Sequence, residues 1–466
     1  MNPNPQTPAV SSILLTGHKE EKQAARELLA DGYDPLWRSS RHAWLPQTLK
    51  QTPMRALDRK VKHGADLTFN EAFCGMCYVL AATNNAFRSA HAELLAEACG
   101  GPLTQERAVA LAAAFLNLMA AKESFSRLTA EEIAGMTAAA MMDCVVQIDM
   151  GRAVETCGMG GDKGYGDGAS AKKSINASTL SSLVLAALGL PSIKHGSYSN
   201  TSAVGSTEAI EHFGARTSMR SVEEVLRILK AAGYCFFDAH WCKTIHDLSH
   251  LLMMETVNHV IGPMTPPLTP TTQINKLMGV NEKVHPETIA RAYMRLHQEG
   301  IQSVGGVVVV AGLSEDGKDI DPNDLAAVRR HTILDEFSPF ASVVSVSQGS
   351  EFLGTFMMPP EDFGVTIDPE LIKVDNTQSA IRCANIEALH GTNQALSDYL
   401  AMNAALGLFA HEYARRDDAV VDGRLNRSHL RECFLRCGNA IRTGQAGEIL
   451  ANYVKVSKGE PELATT

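Results

Sequence analysis

This chain lacks most of the features that mark a membrane protein, a nucleic-acid tail or a disulfide scaffold. No apolar run approaches the roughly 20 residues of a spanning helix, so no membrane association is expected. The 42 Lys and Arg are outnumbered by 52 Asp and Glu, for a formal net charge of -10. That balance weighs against broad nucleic-acid binding and leaves room only for a local basic groove. Residues 1–12 carry Pro and Asn where a signal peptide has a basic and then an apolar stretch, so none is expected. The ten cysteines show no small-scaffold spacing, which suits reduced thiols in a cytoplasmic protein. No Gly-x-x-x-x-Gly-Lys-Ser/Thr is present, which disfavours a P-loop NTPase. There is no internal repeat and no low-complexity tract.

What remains is an ordinary globular composition, 45% hydrophobic and 20% charged over 466 residues. That length suffices for two or three domains and a sizeable core. Residues 1–55 are polar and Pro-containing, with one short helical stretch near residues 20–30, and read as an N-terminal extension. Residues 56–155 are rich in Ala, Leu and Met with helical period. Within them Thr129 is placed to cap a helix, with Glu132 at the capping-box position. From 156 the texture changes to β/α alternation. Residues 181–190 read as a buried helix, and residues 191–194 begin an extended segment. Residues 234–237, 304–311 and 341–346 read as buried strands. Residues 392–410 and 429–454 read as helices, and 456–466 as a loose tail. The expected fold class is α/β: a small, mostly helical domain, and a larger α/β domain with a mixed or parallel central sheet flanked by helices.

Two segments about thirty residues apart carry the chemistry. The first is Cys157-Gly158-Met159-Gly160-Gly161-Asp162, followed by Asn176-Ala177-Ser178-Thr179 ahead of an apolar helix. Glycines without Cβ let backbone N–H groups approach oxygens, and Asn, Ser and Thr supply donors where a helix dipole favours an anion. The second is Lys194-His195-Gly196 with Gly205-Ser206, which adds a cation. Each alone also fits a bland structure: a tight turn with a Ser/Thr cap, or a solvated loop lysine. Far downstream, Asp335-Glu336-Phe337-Ser338-Pro339 offers adjacent carboxylates. These are either a solvated acidic turn or a holder of Mg²⁺ that keeps much of its own water. Cys74-Gly75-Met76-Cys77 has no second pair at zinc spacing and reads as buried core thiols rather than a redox or metal site. His240, Cys242, His246 and His250 share a helical spacing, and a pocket-lining helix is favoured there over a metal site.

In combination these motifs resemble the anthranilate phosphoribosyltransferase family, within the wider group that includes the pyrimidine nucleoside phosphorylases. The family's Gly-Thr-Gly-Gly-Asp is similar to Gly158–Asp162, with Met159 in the Thr place. Its Asn-x-Ser-Thr matches Asn176, Ser178 and Thr179. Its Lys-His-Gly matches Lys194–Gly196, and its Gly-Ser falls eleven residues after the Lys, at Gly205-Ser206. Its Asp-Glu-(Ile/Val)-Ser-Pro matches residues 335–339. The resemblance covers roughly residues 56–455. It implies phosphoribosyl diphosphate (PRPP) as donor and Mg²⁺ as cofactor, held in the cleft between the α/β domain, 156–455, and a helical domain completed by an excursion at about 240–262. It also implies a homodimer through the helical domain. Gly158, Gly160, Gly161, Asp162, Asn176, Ser178, Thr179, Lys194 and Ser206 would face the donor; Ser178, Asp335 and Glu336 would serve the metal. Asp335, Glu336 and Lys194 are the expected catalytic groups.

The acceptor side departs from the family. Ser197-Tyr198 stands where the family has Asn-Arg. The family's Arg-Thr-x-x-Asn ahead of Gly-Pro aligns with Glu255-Thr256-Val257-Asn258-His259, so Glu takes the place of the Arg that grips anthranilate's carboxylate. A carboxylate facing a carboxylate weakens binding. His195, Gly196, Ser197, Tyr198 and Glu255 are the acceptor-site candidates. About eight extra residues around Lys163–Lys173 either form a lid or carry Lys172 and Lys173 toward the phosphates. The expected activity is phosphoribosyl transfer to an amine- or nitrogen-bearing small molecule other than anthranilate, without a dedicated general base. The alternatives are a nucleoside phosphorylase and a non-catalytic nucleotide- or nucleic-acid-binding relative.

Overall fold

The computed structural model describes residues 49, 52–142, 148–166, 168, 171–199, 202–217, 222–238, 252 and 256–459. They group into two compact units. Unit 1 takes residues up to Ile148 together with 239–268, and unit 2 takes Asp149–Asp238 and the chain from Thr269 onward. The helical stretch expected near residues 20–30 lies outside the described residues.

Unit 1 is built from helices Met54–Lys62, Phe69–Thr83, Asn85–Ala90, Ala92–Cys99, Gln105–Phe125 and Ala130–Met141, with a short turn of helix at Asn258–Ile261. Local chemistry fixes where they begin. Thr68 with Glu71, and Thr129 with Glu132, each form a reciprocal capping box, the second as the sequence predicts. Cys74 and Cys77 are both buried in the Phe69–Thr83 helix. Burial pushes Cys74 up to about 12 and raises Cys77 well above its ordinary value, which makes them core thiols.

The membrane expectation needs one amendment. Gln105–Phe125 is a 21-residue helix long and apolar enough to span a bilayer by length and composition. Here it packs on Phe69–Thr83. Its buried Lys122 holds Glu132 at 2.5 Å and Asp66 at 2.6 Å, as a core helix does.

Unit 2 is organised by one sheet. Its strands are β1 (Arg152–Gly158), β2 (Ser192–Gly196), β3 (Tyr234–Asp238), β4 (Gln273–Gly279), β5 (Val304–Leu313), β6 (Thr332–Leu334), β7 (Ser342–Gln348) and β8 (Glu351–Met358). Their spatial order is β3-β2-β1-β4-β5-β7-β8, with β6 paired to β5. The strands from β3 to β5 are parallel, and β6, β7 and β8 run antiparallel, so the sheet is mixed. β1 crosses the boundary at 155/156 that composition suggests.

Helices cover both faces, which is why the parallel strands read as apolar runs. Thr156 Oγ1 donates to the Ser178 carbonyl of helix Ala177–Ala187 at 2.5 Å, on one face. Helix Pro286–Gln298 covers the other face, against β5, β7 and β8. Helix Gln394–Glu412 lies against β4 and β5. Gly306 makes that approach possible, since a Cβ there would meet the Ala410 carbonyl at 1.9 Å. The helix expected over 429–454 is in fact two, Arg427–Arg442 and Gln445–Ser457. They are broken at Gly444, whose φ of +82° a helix does not accommodate.

Candidate active site

In a parallel sheet whose strand order reverses, ligands bind beyond the carboxyl ends of the strands at the point of reversal. Here that point lies between β1 and β4. β1 ends at Gly158 and β4 at Gly279, paired in register. Asp335 sits against both. A Cβ on Gly158 would lie 2.4 Å from Asp335 Oδ2, and one on Gly279 would lie 1.5 Å from the Asp335 carbonyl oxygen. Gly160 and Gly161 follow with φ of +71° and +68°, a left-handed pair that opens the turn. The Gly160 amide donates to Asp335 Oδ2 at 2.6 Å. Thus the glycine turn and the acidic pair, about 175 residues apart in sequence, meet in space.

Glu336, next along, accepts hydrogen bonds from Ser174 Oγ and, at 2.8 Å, from Tyr399 OH. Burial, reinforced by Asp162, pushes Asp335 up to about 7 despite its bond to Gly160. Burial and the neighbouring Asp335 push Glu336 up to about 8, against the Ser174 bond. Two such carboxylates gain from a cation. Asp162 itself is paired, its Oδ1 3.1 Å from Lys173 Nζ.

The second motif is assembled around helix Ala177–Ala187. Asn176 is held by the Asn385 side chain: the Asn176 backbone N–H donates to Asn385 Oδ1, and Asn385 Nδ2 donates to Asn176 Oδ1, both at 2.8 Å. Asn176 Nδ2 donates to the Val204 carbonyl at 3.1 Å. Thr179 Oγ1 reaches Ser206 Oγ at 3.2 Å, joining this segment to Gly205-Ser206. Lys194 is 1% exposed and donates to the His195 carbonyl at 2.5 Å. Burial lowers its pKa. A Cβ on Gly196 would lie 3.4 Å from Lys194 Nζ and 2.9 Å from Ser206 Oγ. The loop beyond is fixed by the Ser197 carbonyl, which accepts from the Thr207 amide, and by Tyr198 OH on Glu211 at 3.0 Å. The residues of the glycine turn, the Asn-x-Ser-Thr and Lys-His-Gly motifs and the acidic pair therefore all lie in unit 2. Several of their side chains are bound to one another.

Beneath the glycine turn, on the face covered by Pro286–Gln298, sits a charge cluster that sequence reasoning missed. Glu155 of β1 accepts from Lys276 Nζ of β4 at 2.6 Å and contacts His195 Nδ1 of β2. His195 Nε2 lies 3.9 Å from Cys157 Sγ. Burial opposes ionisation of Glu155, but His195 and Lys276 outweigh it and hold the carboxyl at about 2. Burial likewise opposes the His195 charge, yet Glu155 and Cys157 raise it to about 9. The signal was one fully buried charge in the middle of each of two neighbouring strands, Glu155 and Lys276, with opposite signs. Ser174, Tyr399 and Asn385 left no comparable mark.

The insert is tied down at several points. Tyr165 and Lys172 form an antiparallel bridge, Lys173 pairs with Val374, and the Gly164 amide donates to the Ile333 carbonyl at 2.8 Å. Glu255, His240, Cys242, His246 and His250 lie outside the described residues. In unit 1, His259 Nδ1 is 2.7 Å from the Thr256 carbonyl and Nε2 is 3.1 Å from Glu123 Oε1.

Residues 150–316 match the family described as "Glycosyl transferase family, a/b domain". Fold and site together define a glycosyltransferase of the pentosyltransferase class. An anthranilate phosphoribosyltransferase of Methanococcus vannielii is 30% identical over 287 residues, covering 61% of this chain and 77% of the relative. One of Listeria monocytogenes serotype 4a is 30% identical over 338 residues, covering 71% and 84%. The chain belongs to the anthranilate phosphoribosyltransferase family. Two solved structures share its fold. The Saccharomyces cerevisiae enzyme in complex with PRPP and Mg has a TM-score of 0.61 at 18% identity, covering 87% of this chain and 98% of that one. The Thermus thermophilus enzyme has a TM-score of 0.59 at 20% identity, covering 86% and 99%.

Proposed function

We propose that this protein uses PRPP and Mg²⁺ to transfer phosphoribose to a nitrogen-bearing small molecule other than anthranilate, releasing diphosphate. The observation that carries the donor half is the meeting of Gly158, Gly160 and Asp335 at the switch point of the sheet. The donor set suits Mg²⁺: carboxylate and hydroxyl oxygens, with two carboxyls whose raised pKa values a cation relieves. Among the described residues no three His, Cys, Asp or Glu side chains gather as a cage. A site that shares its cation with diphosphate oxygens and water needs none. Asp335 and Glu336 would hold the metal, with Ser178 nearby on the family pattern. Bound there, the cation would neutralise charge developing on the diphosphate.

The chain's own residues do the rest. Gly160 and Gly161 offer backbone amides, and the first turn of helix Ala177–Ala187 offers Ser178 and Thr179 at its positive end. Lys194 and Ser206 close the other side. These groups favour the separated charges of the transition state over the neutral bond, which is where binding accelerates the reaction. The acceptor amine then needs placing rather than activating.

The acceptor reading rests on Glu255 in the place of a carboxylate-gripping Arg. His195, Gly196, Ser197 and Tyr198 are the remaining candidates to face the acceptor. The eight cysteines among the described residues are all free thiols, which supports a cytoplasmic setting. Pairing of two copies through unit 1 follows from the family pattern.

The test is thermal stability with Mg²⁺ plus PRPP, against phosphate plus a nucleoside, in wild type and in Asp335→Asn/Glu336→Gln. PRPP at about 100 times its dissociation constant should add roughly 2.7 kcal/mol, dependent on Mg²⁺ and lost in the double variant. A response to the nucleoside pair alone would make the protein a phosphorylase. Screening amines by diphosphate release then tests the acceptor, and normal turnover by Glu255→Ala would remove Glu255 from it.

A further inference from the structure

Strands β1, β2 and β4 lie side by side and put Glu155, Cys157, His195 and Lys276 together in the core, each under 5% exposed. Lys194 of β2 and Tyr293 of helix Pro286–Gln298 are the other ionisable groups that act on them. Glu155 binds Lys276 through one oxygen and His195 Nδ1 through the other. That leaves His195 Nε2 facing Cys157 Sγ at 3.9 Å. This is the arrangement of an activated nucleophile: thiol, imidazole, and a carboxylate that fixes the ring. Lys276 and Glu155 balance in charge, so a thiolate–imidazolium pair leaves the buried cluster neutral.

We propose that Cys157 is a peroxide-reactive thiol, activated by His195 and Glu155, whose oxidation disables the adjoining glycine turn. The thiolate sulfur attacks one oxygen of hydrogen peroxide. An S–O bond forms as the O–O bond breaks, sulfur loses two electrons, and the departing hydroxide takes a proton from the His195 imidazolium to leave as water. The product is a sulfenic acid beside a neutral imidazole, which thiols can reduce. Cys157 is 4% exposed, which favours hydrogen peroxide, with two heavy atoms, over bulky reagents. Oxidation enlarges a buried side chain directly beside the glycine turn. Gly158, the next residue, already lies where a single Cβ would strike Asp335. Burial alone would raise the Cys157 thiol, but His195, Lys194 and Lys276 outweigh it.

The chain supplies its own control. Cys383 is exposed, and its hydrogen bond to Glu387 raises its pKa. The full-length protein is exposed briefly to peroxide at pH 8 and pH 7, quenched with catalase, denatured in iodoacetamide and mapped at every cysteine. From pH 8 to pH 7, oxidation of Cys157 should slow less than about twofold, while that of Cys383 slows about tenfold with its thiolate fraction. In His195→Asn, Cys157 should acquire the steep dependence of Cys383. Cys157 slowing in step with Cys383 in wild type, or surviving after Cys383 is spent, would overturn the proposal, whether or not the variant folds. The effect on the turn rests on the phosphoribosyl reading: protein oxidised at Cys157 should lose the Mg²⁺–PRPP thermal shift and regain it with dithiothreitol. A shift that survives oxidation removes the disabling role. A shift absent before oxidation removes the phosphoribosyl reading and leaves the thiol chemistry standing.

Discussion

Asp335 Oδ2 lies 2.6 Å from the Gly160 amide, so the carboxylate holds the hydrogen bond that a diphosphate oxygen would take. The two glycines that admit Asp335 are not equivalent. At Gly158 an added Cβ meets the end of a side chain, which can swing aside; at Gly279 it meets backbone. Gly158→Ala should therefore change folding stability by about 1 kcal/mol or less while removing the Mg²⁺–PRPP response. Gly279→Ala should cost about 3 kcal/mol. Urea midpoints and PRPP titrations on both variants check this, and the reverse ranking would show that Asp335 is not seated between the strand ends.

The Cys157–His195 pair predicts an unusual flatness with pH. A histidine raised from 6.5 to about 9 contributes stability that is complete below its unfolded value and lost as pH rises through its folded one. A cysteine lowered from 9.0 to about 6 contributes stability that is complete above its unfolded value and lost as pH falls through its folded one. Between these limits the folded protein carries one proton, on His195, and the unfolded chain carries one, on Cys157. The two slopes cancel, and wild type should show none from this pair. In Cys157→Ser only the histidine remains, so stability should fall with rising pH by up to about 1.4 kcal/mol per unit. Urea unfolding at half-unit steps from pH 6.5 to 8.5 separates the cases.

Lys276 and Glu155 meet at 2.6 Å with both side chains fully buried. Removing one partner leaves an uncompensated charge, so Lys276→Met should destabilise by about 3–5 kcal/mol. Adding Glu155→Gln should recover part of that loss, giving a coupling of at least about 1 kcal/mol in a double-mutant cycle. Additive losses would mean that the carboxylate is held chiefly by His195.

How legible all this was in the sequence depends on distance along the chain. The β5 run of valines and the Thr129–Glu132 cap are local signals, and both are where the sequence puts them. The break at Gly444 was missed because helical periodicity persists on both sides, and only the backbone conformation interrupts it. At the site, the glycine turn and the acidic pair were visible as motifs. Their partners Ser174, Tyr399 and Asn385 were not, because a hydroxyl or amide inside a helix or loop looks the same whether it faces solvent or a carboxylate. Glu155 and Lys276 were overlooked for a different reason. Each stands among other polar residues of its own strand, and only the register of β1 against β4 makes them a pair.

The two lysines of the insert, equal candidates on sequence, are separated by their surroundings. Lys173 Nζ donates to the Asp162 carbonyl at 2.7 Å and lies 3.1 Å from its carboxylate, both side chains largely covered. Lys172 is about half exposed and only 3.7 Å from an open Asp375. Lys173 thus ties the insert to the end of the glycine turn, whereas Lys172 sits in a weak surface pair. Lys173→Met should leave Asp162 unpaired beside Asp335 and loosen the turn, raising the PRPP dissociation constant about tenfold. Lys172→Met should change it less than about twofold. Calorimetric titration of PRPP in Mg²⁺ measures both, and an equal effect of the two variants would return the insert to the role of a charged lid.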